Sequence, residues 1–313
     1  MPPSGKSLFW QKVTIVERKR MRKLALSDEI LMKVDKAARY IGGEVNSVMK
    51  DKNAVDIRFA MCFPDVYEIG MSNLGMMILY NMFNQREDVW CERLFSPWPD
   101  LDKVMREEKI PLFALESQEP IRDFDFLGIT IGYEMCYTNI LQVLDLSGIP
   151  LKSADRGEDF PIVIGGGACA YNPEPLAPFF DMFYIGEGET VYDALFDAYK
   201  ANKKAGGSRK DFLLAAAKIP GIYVPSLYEV TYKEDGTIAS FAPTADGVPE
   251  KVQKQLIIDM EKEYRAVEAP VVPHIKATQD RVTLEIQRGC IRGCRFCQAG
   301  MIYRPTRDVM WRL

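Results

Sequence analysis

VDIRFAMCFPDVYEIGMSNLGMMILYNMFNQREDVWCERLF, residues 55–95, sets two short apolar runs on either side of a helix-length segment. Runs of this length, rich in β-branched and aromatic residues, read as strands at 55–63 and 89–95. Between them SNLGMMILYNMFNQ reads as a helix from Ser72, whose hydroxyl is suited to cap it. The same alternation continues along the chain. Strands are expected at 124–133 (FDFLGITIGY), 161–166 (PIVIGG) and 181–186 (DMFYIG), and helices from Pro99, Tyr137 and Glu189. Gly148 followed by Pro150 is a helix stop. Strands that are continuously apolar and alternate with helices belong to a mostly parallel sheet covered on both faces. The expected fold class is therefore α/β, Rossmann-like, over residues 55–205.

Ligands of such sheets bind beyond the carboxyl ends of the strands, so three turns are candidates: PDVYEIGMSNLG after the first strand, GGGACAYNPEP after the fourth and GEGET after the fifth. Glycines there allow tight turns or a close backbone approach to a ligand, and tight turns alone would also account for them. Residues 206–279 read as a small β-rich linker, with a hairpin around Glu234-Asp235-Gly236. Residues 1–54 form an extension and lead-in, with Met21 as an alternative start. Residues 280–313 begin something new.

Composition frames this without deciding it. The chain has 313 residues, 47% hydrophobic and 27% charged, which is a globular balance able to bury a core. Seven cysteines without even spacing do not form a disulfide framework and suit a reducing cytoplasm. No apolar run has the ~20 residues needed to span a bilayer. A net charge of -4 offers no nucleic-acid footprint. Between Glu285 and Asp308 stand Arg288, Arg292, Arg295, Arg304 and Arg307 without an acidic residue, expected to neutralise nearby thiolates or to face solvent.

The new segment is RGCIRGCRFC, in which Cys290, Cys294 and Cys297 are spaced C-x3-C-x2-C and follow VTLEIQRGC (282–290), read as a strand with Leu284 and Ile286 alternating against polar neighbours. A structural zinc site takes four protein ligands, as does an ordinary electron-transfer cluster. No fourth cysteine is near, and His274, the only histidine, is well upstream and reads as a linker surface residue. Three soft thiolates suit an iron-sulfur cube with one iron left for a non-protein ligand. Cys62, Cys91, Cys136 and Cys169 are scattered in apolar segments and read as core.

C-x3-C-x-aromatic-C after an apolar strand resembles the cluster loop of the radical S-adenosylmethionine (SAM) superfamily, and QAGMIYRP after it is similar to an uncharacterised branch with an N-terminal cobalamin-binding-like domain. The resemblance implies a [4Fe-4S] cluster on Cys290, Cys294 and Cys297, SAM on the free iron and against Phe296, and reductive cleavage to a 5'-deoxyadenosyl radical, with an electron donor such as a flavodoxin or ferredoxin and an unknown substrate. It also implies a corrinoid as a candidate second cofactor, at Asp65, Tyr67 and Gly70, at Gly165, Gly166 and Gly167, and at Gly186, Glu187 and Gly188. Tyr67 occupies the position of the histidine in the cobalamin signature, so a bound corrinoid would lack histidine ligation. The segment 280–313 resembles the first strand and cluster loop of an incomplete β/α barrel, so the chain is expected to be the front half of a longer protein and to lack full activity alone. Two alternatives are a methylthiotransferase-like enzyme acting on RNA or protein, which would need a second cluster on the other cysteines, and a non-catalytic corrinoid-binding or interaction module.

Overall fold

A computed structural model describes residues 23–309. Residues 1–22 of the expected N-terminal extension and residues 310–313 lie outside these residues. The centre is a sheet of six strands in the order β2-β1-β3-β4-β5-β6, with β1 at Ile57–Phe63, β2 at Val89–Phe95, β3 at Phe126–Thr130, β4 at Ile162–Gly166, β5 at Met182–Tyr184 and β6 at Ile222–Tyr223. The pairs from β2 through β5 are parallel. β6 runs antiparallel on the edge, a strand that the linker reading of 206–279 did not contain.

The seven residues of β1 are all buried, as are those of β2; the apolar runs are broken at Arg58, Glu92 and Arg93, whose charges are paired, Arg58 with Glu92 at 2.7 Å and Arg93 with Glu44 and Glu116. Helices α1 (Leu74–Gln85), α4 (Tyr192–Lys204) and α5 (Arg209–Ala216) cover one face; α2 (Pro99–Glu108) and α3 (Tyr137–Leu146) cover the other. The first face is aromatic. Phe59 meets Phe83 edge-on at 5.0 Å between ring centroids, and Phe196 meets Phe83 at 5.0 Å and Phe59 at 5.9 Å. The second is aliphatic, with Leu127 and Val163 against Ile140, Val143 and Leu144.

Asn73 caps α1, not Ser72: its side chain accepts the Met76 N–H at 2.8 Å. The Ser72 hydroxyl instead donates to the Glu68 carbonyl and accepts the Gln279 N–H. Likewise α4 begins at Tyr192, because Gly188–Thr190 form a separate 3-10 turn. Gly148 ends α3 as expected, at φ +64°. Helix α5 interrupts the supposed β linker and opens on a capping box in which Ser208 and Asp211 satisfy each other's backbone N–H. The expected hairpin is present as β7 (Tyr228–Tyr232) and β8 (Ile238–Pro243), with Gly236 at φ +80°.

The expected strand at 282–290 is reduced to β9 (Gln287–Arg288), which pairs with β10 (Arg307–Asp308). Val282, Leu284 and Ile286 are exposed. Alternation specifies which face of a strand is apolar, but a strand persists only where a neighbour takes its hydrogen bonds; Ile286 accepts the Val309 N–H at 3.0 Å, and among the described residues no strand pairs with 282–285.

Candidate functional site

The strand order reverses between β1 and β3, and at this switch point the sheet opens into a cavity of about 410 Å³, within the range of small-molecule sites. It lies on the side of α1 and α4. Phe59, Met61 and Ile164 form an apolar floor, Leu79 and Tyr192 stand at its sides, and the backbone of Gly166 and Gly167 forms part of the rim. The two glycines differ. Gly167 has φ +104°, and a Cβ there would meet the Ile131 carbonyl oxygen at 2.9 Å, so the backbone requires glycine. Gly166 has no positive φ, and a Cβ there would meet nothing within 4 Å. Its smallness leaves room in the cavity.

The outer wall comes from far along the chain: Glu285, Gln287, Arg288 and Gly289, the residues that lead into Cys290. Arg288 is held by three carboxylates, Glu285 at 2.8 Å, Glu187 at 3.3 Å and Glu189. Arg307, buried, makes a two-pronged contact with Glu187 at 2.6 and 2.8 Å and donates to the Ile257 carbonyl. Burial disfavours the charged form of Glu187. The Arg307 hydrogen bond, the Ile257 N–H and the Arg288 charge outweigh that and hold its carboxyl below the usual range. Of the five arginines, therefore, Arg288 and Arg307 do not face solvent; they bind the glutamates of the GEGET turn. Arg292, Arg295 and Arg304 are exposed.

The sequence-expected residues divide accordingly. Gly166, Gly167, Gly186, Glu187 and Gly188 line the cavity; Asp65, Tyr67, Gly70 and Gly165 do not. A Cβ at Gly165 would strike Ile131 and Phe183, each at 2.8 Å, and one at Gly70 would strike the Phe95 ring at 2.2 Å, so both glycines serve packing. Tyr67 is 1% exposed and edge-on to Phe95. Its hydroxyl donates to Glu44 at 2.9 Å and accepts the His274 N–H at 3.2 Å. Burial, reinforced by the Glu44 charge, raises the phenol well above its ordinary value. Asp65 accepts from the Tyr133 hydroxyl and the Val66 N–H. The first turn is thus a structural element beside a buried ion cluster in which Arg93 bridges Glu44 at 2.7 Å and Glu116 at 2.6 Å.

Cys290 is half-buried, Cys294 and Cys297 are exposed, and all three are free thiols. The Cys297 N–H donates to the Cys294 carbonyl at 3.2 Å, closing a turn, and Phe296 is 92% exposed. Among the described residues no three His, Cys, Asp or Glu side chains gather as a ready metal cage. The donor chemistry nevertheless fits an iron-sulfur cluster: three uncommitted thiols lie on one short loop, and metal binding commonly completes the folding of its own site. Cys62, Cys91, Cys136 and Cys169 are buried, and desolvation raises each thiol above its usual value. A thiol kept protonated is a poor metal ligand, so these four lack the character that a second cluster would need.

Nothing local in the sequence joins Glu187 to Arg307, 120 residues away. Only the run of arginines without acids hinted that their partners lay elsewhere.

The family model described as "Radical SAM proteins, N-terminal" matches residues 75–225. An uncharacterised protein of Methanocaldococcus jannaschii, MJ0966, is 26% identical over 249 residues, covering 79% of this chain and 42% of the relative. The chain thus spans about two fifths of the length of that curated relative. Among solved structures, the radical S-adenosylmethionine methyltransferase TsrM from Kitasatospora setae, with tryptophan substrate and the SAM analogue aza-SAM bound, aligns over 57% of this chain and 29% of its own, at 15% identity and a TM-score of 0.32. No helix among the described residues is long and apolar enough to cross a membrane.

Proposed function

We propose that this chain, whose residues 75–225 match the model of radical SAM N-terminal regions, uses Cys290, Cys294 and Cys297 to hold a [4Fe-4S] cluster and binds SAM for reductive cleavage. When bound, such a cluster delivers one electron to the sulfonium of SAM, giving methionine and a 5'-deoxyadenosyl radical that can abstract hydrogen from a substrate. The observation that carries the reading is the trio of free thiols on one loop whose base is anchored by Arg288 and Arg307 at the wall of the cavity. The chain's own contribution is placement: Arg288 and Arg307 orient the loop, the turn between Cys294 and Cys297 brings two ligands round, and exposed Phe296 is available to pack on SAM.

Anaerobic reconstitution with iron and sulfide should give a single four-iron cluster, lost when any of the three cysteines becomes alanine and kept in Cys62→Ala. Iron retained by the triple-alanine protein would overturn the assignment. The methylthiotransferase alternative predicts twice the iron; the non-catalytic alternative predicts no stoichiometric iron.

A corrinoid in the switch-point cavity is supported by the open backbone at Gly166. Tyr67 carries no imidazole nitrogen and its hydroxyl is committed to Glu44 in the core, so this turn would offer a bound corrinoid no nitrogen ligand. Equilibrium dialysis against several cobalamins tests this, with visible spectra reporting the axial ligand; no retention of any of them would discard it.

A further inference from the structure

We propose that Glu187 is a positioning residue that clamps both flanks of the cysteine loop against the sheet, making the strand before Cys290 the movable outer wall of the switch-point cavity. The construction begins at Gly186, whose φ of +140° brings its backbone so close to Gln255 that a Cβ would sit 2.4 Å from the Gln255 carbonyl oxygen. This approach lets the Glu187 N–H donate to Gln255 at 3.0 Å and its carboxylate accept the Ile257 N–H at 2.9 Å. The carboxylate is thereby fixed, and Arg307 meets it with two hydrogen bonds while Arg288 approaches from the other flank. The loop's base is closed by the pairing of Arg288 with Arg307 and of Gln287 with Asp308. Lys254 adds a tie, donating to the carbonyls of Ile302 and Arg304 at 2.6 and 2.7 Å.

Charge, more than apolar packing, holds this junction. Leu284, Ile286, Ile291, Phe296 and Met301 are all exposed, whereas the side chains of Glu187, Arg288 and Arg307 are 12%, 11% and 6% exposed. Removing one partner of a sheltered ion pair leaves the other charge without compensation. The consequence is local, because the contact joins the loop to the sheet and lies outside both cores. Cys290, one residue beyond the cavity wall and the least exposed of the three loop thiols, should report it.

The test is alkylation of the metal-free, reduced protein with N-ethylmaleimide, read cysteine by cysteine by mass spectrometry. In the natural chain Cys294 and Cys297 should react quickly, Cys290 more slowly, and Cys62 and Cys91 not at all. Glu187→Gln is expected to speed Cys290 on the order of tenfold by releasing the local closed state, with Cys62 still silent. Arg307→Gln should match it, the double variant should add little, and Arg307→Lys, which keeps the charge without the two-pronged fork, should be intermediate. An unchanged Cys290 rate in both single variants overturns the proposal, as does a response in Arg307→Gln without one in Glu187→Gln. Should Glu187→Gln open the core, seen as labelling of Cys62, Arg307→Gln decides by the same criterion. The bearing on the cluster rests on the function proposed above: reconstituted Glu187→Gln should bind the same iron but yield it faster to a chelator. Iron retained by the triple-cysteine variant would remove that function and leave the labelling result standing.

Discussion

At the scale of single residues, the adjacent glycines of the β4 turn predict opposite outcomes. Gly166→Leu places its side chain in open space, where strand backbone tolerates it, so the melting temperature should hardly move while any ligand of the cavity is lost. Gly167→Ala forces a Cβ onto the Ile131 backbone at positive φ and should cost on the order of 1–3 kcal/mol. Thermal melts of the two proteins, with cobalamin retention of the first, check the pair. Glu68 carries a pH dependence. Burial alone would raise its carboxyl, but Arg39 and Lys36 hydrogen-bond it and bring it down to about 2, against an ordinary 4.5. A lowered folded value means that its stabilisation is present above about pH 4.5 and is lost as pH falls towards 2. Urea midpoints across that window should fall less steeply in Glu68→Gln than in the natural chain.

At the scale of elements, α4 is held by Phe196, fully buried between Phe59 and Phe83. Phe196→Ala should destabilise the protein by about 3–5 kcal/mol, the range for deleting a buried aromatic ring, measured by urea unfolding. Helix α5 depends on its terminus instead, and Ser208→Ala should cost about 1 kcal/mol through loss of the cap. The contrast follows from burial: α4 places large rings in the core, while α5 contributes chiefly Phe212 and Ala216. Residues 282–285 show the converse, an alternating pattern that remains without strand pairing because among the described residues no neighbouring strand runs alongside it.

At the scale of the molecule, the parallel sheet and the cysteine loop are joined chiefly by ion pairs. Surface-screened parts of that junction should weaken with salt, while the sheltered Glu187–Arg307 contact is screened less. Raising the salt concentration is therefore expected to speed labelling of Cys290 less than Glu187→Gln does.

The strand and helix alternation, the buried cysteines, the Asp-Gly hairpin and the cysteine spacing were all legible along the chain, because each depends on neighbours within a few residues. Burial of β1 and β2 writes itself as largely apolar runs, broken only at Arg58, Glu92 and Arg93, and most turns at positive φ write themselves as glycine. Which turns meet at the cavity was not legible. The sheet order separates the Tyr67 turn, directed into a buried cluster with Glu44 and Arg93, from the Gly166 and Glu187 turns that share the cavity wall. The partners of Arg288 and Arg307 likewise depended on the crossing of segments far apart in sequence, and local spacing carries no information about a contact made only when the sheet has assembled.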